Sequence, residues 1–224
     1  MKTPVVARAP PCRRALVCSD LHCSRGSPCA QLARACSLAE SLEADCLAVA
    51  GDLFNDLHEP VSAEKLAEEV KRILGAAEPP RLIVYATSLS SHDPILPGVV
   101  EAPLGRARLV AVPGVAVLDV SGLEVCVLHG DILFGNGAAA YLFNRLASLL
   151  GRPLLVEEKL RERLRCQGLL VAGHTHIAGL DTVRGVANPG AWRREWIPGL
   201  PYWRRPSETC IVVDGGGARI VHVP

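Results

Sequence analysis

Little in the composition of this 224-residue sequence selects a partner. Lysine and arginine number 24 against 23 aspartates and glutamates, a formal net charge of +1, so bulk electrostatics make no case for nucleic acid or an anionic membrane. No apolar run approaches the roughly 20 residues of a membrane-spanning helix, so no membrane span is expected. The opening MKTPVVARAPPCRR lacks the apolar core and cleavage site of a secretory signal. Residues 1–14 therefore read as a loose N-terminal leader, residues 15–224 as a single domain, and the protein as cytoplasmic. Repeats and low-complexity linkers are missing too, and the length suits one large α/β domain.

Cysteine gives no framework either. Nine of them (12, 18, 23, 29, 36, 46, 126, 166 and 210) contain no C-x-x-C pair and make an odd number. They read as small buried thiols in a reducing compartment, with Cys18 and Cys126 as core filler. A bridge within the Cys12–Cys36 cluster is the exception a hyperthermophile would allow. A single methionine and few asparagines or glutamines are in keeping with a thermophilic source.

What the sequence does have is four apolar runs that each deliver aspartate or histidine at the exit. Leu47–Ala50 runs into Gly51-Asp52, and Ala15–Cys18 into Ser19-Asp20-Leu21-His22. Leu169–Ala172 runs into Gly173-His174-Thr175-His176, and Val125–Leu128 into His129-Gly130-Asp131. Continuous apolar runs suit strands covered on both faces, and ligands collect beyond the carboxyl ends of such strands. Around these runs, Pro28 opens a helix to about Glu43, and Ser62 caps a second helix that Gly75 stops. With Arg81–Thr87 as the next strand, the first half reads β-α-β-α-β, a mostly parallel sheet.

The second half changes character. Ser121-Gly122 joins Val115–Val120 and Leu123–Leu128 as a hairpin. Leu155–Arg165 is a charged helix, short strands fall near Leu180–Val183 and Gly185–Ala187, and Thr209–Val213 with Ala218–Val223 closes the chain as another hairpin. Parallel strands first and hairpins later suggest two sheets packed face to face with helices outside. Helix Ala138–Leu150 carries too many large apolar residues for one face. Burial against the core or in a dimer contact is its first reading, and a lid over an apolar substrate group its second. Oligomeric state leaves no signal of its own.

The candidate ligands are Asp20, His22, Asp52, His129, His174 and His176. Carboxylates mixed with neutral imidazoles suit divalent Mn, Fe, Co, Ni or Zn better than an all-oxygen Mg or Ca cage. Two such ions are expected, with Asp52 as the bridge because a carboxylate has two oxygens, and their joint charge would lower the pKa of a shared water. Taken together, Asp20-x-His22, Gly51-Asp52, His92-Asp93, His129-Gly-Asp and Gly173-His174-x-His176 stand in the order of the calcineurin-like metallophosphoesterase superfamily. Asn188-Pro189-Gly190-Ala191-Trp192 resembles a segment that follows the histidine pair in its small prokaryotic members.

The resemblance implies an α/β four-layer sandwich of two mixed β-sheets flanked by helices. It implies a di-metal phosphoesterase, a hydrolase opening phosphodiester or pyrophosphate bonds by attack of a metal-bound hydroxide. By family roles Asp20, His22, Asp52 and His176 hold one metal, and Asp52, His129 and His174 share the second. His92 stands where the family stabilises the phosphoryl group or protonates the leaving oxygen, with Asp93 to orient its ring. The family's asparagine ligand is replaced by Ser91, a shorter hydroxyl donor that would hold the second metal more loosely. A non-catalytic or weakly active metal-binding scaffold on the same fold is the alternative.

Arg25, just past the first block, is a candidate substrate-phosphate contact. The segment 192–205, rich in arginine and tryptophan, reads first as a solvated loop with anchoring aromatics and second as a contact for substrate phosphate or nucleic acid. The helix after His129-Gly-Asp, with the SDLH and GDLF blocks, is in part similar to UDP-2,3-diacylglucosamine pyrophosphatases. That similarity is what suggests the lid.

Overall fold

Strands buried on both faces account for the continuous apolar runs. In the computed structural model, which describes residues 4–89, 92–193, 195–197, 200–202 and 204–223, the chain builds two mixed sheets. The first half runs β1 (Val5–Arg8), β2 (Ala15–Cys18), α1 (Ala30–Ser41), β3 (Cys46–Ala50), α2 (Ala63–Leu74), β4 (Leu82–Ala86), β5 (Val100–Leu104) and β6 (Ala107–Val112). Then come β7 (Gly114–Val120), β8 (Leu123–Leu128), α3 (Gly137–Ser148), α4 (Leu155–Leu164), β9 (Leu169–Ala172), β10 (Gly179–Asp181) and β11 (Val186–Asn188). The chain ends with β12 (Glu195–Ile197), β13 (Leu200–Pro201), β14 (Thr209–Asp214) and β15 (Gly217–His222).

One sheet has the order β15-β14-β2-β3-β4-β6-β5, the other β1-β7-β8-β9-β11-β10, and β12 pairs with β13 alone. The expected parallel set β2-β3-β4 is present, and Ser121-Gly122 turns the β7–β8 hairpin with both residues at positive φ.

Alternation along each strand sorts the core into layers. Leu16, Cys18, Leu47 and Val49 face α1 and α2, while Ala15, Val17, Cys46, Ala48 and Ala50 face the second sheet. On that second sheet Val125 and Val127 point inward, and Cys126 and Leu128 point out to Leu154, Val156 and Leu160 around α4. The result is the four-layer α/β sandwich, with small residues between the sheets and larger ones under the helices. Helix α2 starts as its sequence predicts: the Ser62 side chain accepts from the Lys65 amide, and Gly75 closes the helix at φ 58°.

Four points differ from the sequence reading. Val5–Arg8, read as part of a loose leader, is an edge strand paired in parallel with β7, from Val5 opposite Gly114 to Arg8 opposite Val117. The β5–β6 hairpin was not assigned from sequence; β5 is the sheet edge, where the missing N–H of Pro103 costs nothing. Cysteines are not all thiols: Cys23 bonds Cys29, inside the expected cluster, and Cys126, read as core filler, bonds Cys166.

The fourth is α3, which is not packed into the core of this chain. Its buried face is Ala140, Asn144 and Ala147, whereas Leu142 and Leu146 are each 58% exposed and Leu149 and Leu150 more than 80%. Leu149→Ser and Leu150→Ser should therefore change the unfolding free energy by less than about 0.5 kcal/mol. A core leucine would cost about 2–5 kcal/mol. Chemical denaturation of the two variants separates these outcomes. No helix among the described residues is long and apolar enough to cross a membrane.

Candidate metal centre

Every strand-exit residue named from sequence converges at the carboxyl ends of β2, β3, β4, β8 and β9. The turns that carry them are unusual. Ten non-glycine residues among those described have positive φ, and six of them are Asp20, His22, Asp52, His92, His174 and His176. A side chain in that region costs on the order of 1 kcal/mol or more, and such costs gather where geometry serves chemistry. The two motif glycines have a packing reason. A Cβ on Gly51 would lie 2.3 Å from the His129 Cβ, and one on Gly173 would lie 2.6 Å from Asp20 Oδ2.

Hydrogen bonds fix which ring nitrogen of each histidine is left for a ligand. His129 Nδ1 donates to the Ala50 carbonyl at 3.4 Å, which leaves Nε2 as an acceptor. His174 Nε2 donates to the Phe134 carbonyl at 2.6 Å, which leaves Nδ1. Those two remaining nitrogens face each other at 3.0 Å, and Asp52 Oδ1 is 3.6 Å from the first. An imidazole nitrogen and a carboxylate oxygen gathered about the His129 lone pair call for a positive charge, and Asp20, Asp52 and His129 offer ligand atoms all within 4.8 Å of one another. Without a metal a proton serves: burial opposes charge on His129, but Asp52, Asp20, Asp131 and Asp93 push its pKa up to about 9. Burial and the neighbouring His129 in turn drive His174 down to about 4.

The other half of the centre is built alike. His176 Nε2 lies 2.9 Å from Asp20 Oδ1, and His22 Nε2 lies 3.7 Å from Asp52 Oδ2. Ligand atoms of Asp20, His22 and His176 all fall within 4.8 Å of one another. Both ring nitrogens of His22, Nδ1 of His176 and Oδ1 of Asp52 are buried without a hydrogen-bond partner. Burial lowers the His22 pKa and raises that of Asp52, where Asp93 and Asp20 add to the effect. For Asp20 burial works upward, but the His176, His129 and His22 rings hold it below the usual carboxylate range. Buried donor atoms of oxygen and imidazole type, partnerless and mutually close, fit divalent transition ions.

His92 stands at the rim, with Nδ1 2.8 Å from the Asn55 carbonyl and its ring 5.1 Å from that of His22. Asp93 does not orient that ring. Its carboxylate is wholly buried and accepts the amides of Asp52 and Ser88, each at 2.7 Å, so it shapes the Gly51-Asp52 loop instead. Arg25 is also displaced from its expected role: its guanidinium meets Glu59 at 3.2 Å and Glu69 at 3.7 Å and does not line the cleft. Ser91 lies outside the described residues.

Two features escaped sequence reasoning. The first is Glu157, within the helix read only as charged. It is wholly buried and accepts from Asn144 Nδ2 on α3 (2.8 Å), Thr175 Oγ1 between the paired histidines (2.7 Å) and Asn188 Nδ2 (2.8 Å). The Asn188–Trp192 segment completes the frame, since Asn188 Nδ2 also donates to the Gly173 carbonyl at 2.9 Å and the Trp192 amide to the Asp20 carbonyl at 3.1 Å.

The second is the wall of the cleft, about 280 Å³, over the metal ligands. Gly135–Ala138 at the start of α3 form one side, and Arg193, Tyr202 and Arg204 another. The segment 192–205 and the helix after His129-Gly-Asp were both flagged in sequence as possible substrate contacts; what gave no signal is that Arg193, Tyr202 and Arg204 line one cleft with the start of α3.

A family model described as the calcineurin-like phosphoesterase superfamily domain matches residues 14–213. Among solved structures the chain is similar to a conserved uncharacterized protein of Streptococcus pneumoniae, described as a predicted phosphoesterase. That match has TM-score 0.41 and 13% identity, covering 95% of this chain and 99% of that one. It is also similar to Yfce, a phosphoesterase from E. coli, with TM-score 0.38 and 17% identity over 94% of this chain and 93% of that one. No curated protein sequence matches it.

Proposed function

Because the chain belongs to the calcineurin-like phosphoesterase superfamily, we propose that it is a di-metal hydrolase of phosphodiester or pyrophosphate bonds. The observation that carries this reading is Asp52, whose two oxygens face different imidazoles, Oδ1 toward His129 and Oδ2 toward His22. Asp20, His22, His176 and Asp52 would hold one ion; Asp52, His129 and His174 would hold the other. Bound divalent ions would neutralise charge on a phosphoryl group and lower the pKa of water beside it.

The chain's own contribution is orientation and a proton. The Asn55 carbonyl holds the His92 Nδ1 proton, so Nε2 is the nitrogen left to act, and in the imidazolium form it would give a proton to a leaving oxygen or steady a phosphoryl oxygen. His92→Ala should lower kcat for a bis-ester by about 10²-fold or more while metal content stays at the wild-type value. A parallel loss of metal would make His92 a ligand instead, since its ring lies with His22 and Asp52 in one possible ligand group.

The function itself is tested with metal-supplemented protein on p-nitrophenyl phosphate, its bis ester, cyclic nucleotides, nucleotide-linked lipids and single-stranded DNA. Turnover of a diester or anhydride with two ions bound is the expected result. Two ions bound and no turnover of any of them would leave a metal-binding scaffold.

A further inference from the structure

Two buried carboxylates, Asp93 and Asp131, stand beside the centre without belonging to any possible ligand group among the described residues. A carboxylate out of water is costly unless donors close around it, and here the donors include two backbone amides of one loop. Asp93 Oδ2 accepts the Ser88 amide at 2.7 Å, and Asp131 Oδ2 accepts the Leu89 amide at 2.8 Å. These consecutive amides open the loop that leaves β4 and leads to His92.

The two carboxylates reach that loop from different places. Asp93 lies at its far end, next to His92, so its bond to Ser88 is local. Asp131 follows β8 of the other sheet, two residues after His129, and its bond to Leu89 crosses from one sheet to the other. The Leu89 side chain crosses with it and packs against the cluster of Ile132, Leu154 and Leu160 on the outer side of that second sheet.

His92 needs such support. Its φ is 68°, a conformation that persists in a non-glycine residue only where the surroundings hold it. The segment after β3 holds one side, since Asn55 accepts from the His92 ring and the Leu57 amide donates to the His92 carbonyl at 2.9 Å. The Asp131 bond fixes the approach from β4.

From this we infer that Asp131, which does not itself line the cleft, is a positioning residue. Through the Leu89 amide it holds the loop that aims His92 at the phosphoryl group, and it ties that aim to the strand exit carrying His129. This rests on the hydrolase reading above.

The test is a double-mutant cycle on kcat for the bis ester with metal-loaded protein. Asp131→Ala should lower kcat by about 10-fold, the scale of one hydrogen bond to a charged group. KM and metal content should stay within about 2-fold of wild type, and in a His92→Ala background the same change should cost less than about 2-fold, because the group it positions is gone. Asp131→Asn keeps an acceptor oxygen for the Leu89 amide and should lose less than the alanine variant; it takes over the cycle if the alanine variant does not fold.

Losses that multiply in the double variant, or metal content that falls in step with kcat, overturn the assignment, because Asp131 would then act on the fold or on His129. Should no phosphoester be turned over, hydrogen exchange of the Ser88 and Leu89 amides decides. Exchange at least about 10-fold faster in the Asp131 variant would count for the clamp and against hydrolysis, and unchanged exchange would overturn the clamp.

Discussion

Asp52→Asn should bind less metal than wild type, lose catalysis, and yet be no less stable when both proteins are stripped of metal. An amide keeps one acceptor and turns the other position into a donor. One of the two imidazoles facing Asp52, at 3.6 and 3.7 Å, would thus meet an N–H₂ where it met an oxygen. Loss of an outer partner of a ligand already costs about 10–100-fold in metal affinity, and loss of a shared ligand should cost at least that. Activity on any substrate found should fall by about 10³-fold, comparable to losing a donor that stabilises the transition state.

The stability half of the result comes from the buried charge. Burial pushes the Asp52 carboxyl well above its usual range, and although His129 opposes this, Asp93 and Asp20 add to it, so without a metal its ionised form is held there at a cost that the His129 ring offsets only in part. A chelator should therefore lower the Tm of wild type and leave that of the variant nearly unchanged. Metal analysis with calorimetry, each with and without chelator, checks both halves. Full occupancy in Asp52→Asn would remove Asp52 from its bridging place.

Glu157→Ala should be the most destabilising change outside the ligands. It would strand two buried donors, Asn144 Nδ2 and Thr175 Oγ1, after hydrogen bonds of 2.8 and 2.7 Å, and take one of three acceptors from Asn188 Nδ2. Removing one partner of a buried network costs about 3–5 kcal/mol, because the groups left behind have no water to turn to. At about 2–4 °C per kcal/mol for a chain of this size, Tm should drop by roughly 6–20 °C.

Metal affinity should fall too, because Thr175 stands between His174 and His176 and would lose the acceptor that holds its hydroxyl. Glu157→Gln should be milder, with one acceptor kept. Glu162→Gln, which breaks an exposed pair with Lys159 on the same helix, should move stability by less than about 0.5 kcal/mol. If Glu157→Ala unfolds within 1 kcal/mol of wild type, the network is not a structural hub.

The strands that carry the ligands, the hairpin at Ser121-Gly122 and the cap at Ser62 were legible in the sequence because each depends on neighbours in the chain. An apolar run covered on both faces looks the same wherever its cover comes from, and a turn residue declares its φ locally. The order of aspartate and histidine at the strand exits was legible for the same reason, since parallel strands deliver their exits to one edge.

What only the tertiary structure decided is who meets whom across long separations. Val5–Arg8 is a strand because β7, more than a hundred residues on, offers it an open edge. Glu157 is buried, despite its place in a charged helix, because three donors from α3, the histidine loop and β11 close over it. Asp93 turned to backbone amides because the Gly51-Asp52 loop presents them within reach, leaving His92 to a carbonyl.

Helix α3 shows the limit most plainly. Its apolar content implied burial, but the small residues Ala140 and Ala147 and the hydrogen-bonded Asn144 took the inner face, and the leucines stayed outside. Composition fixes how much apolar surface a helix has; the partners available on the folded chain decide which part of it is covered.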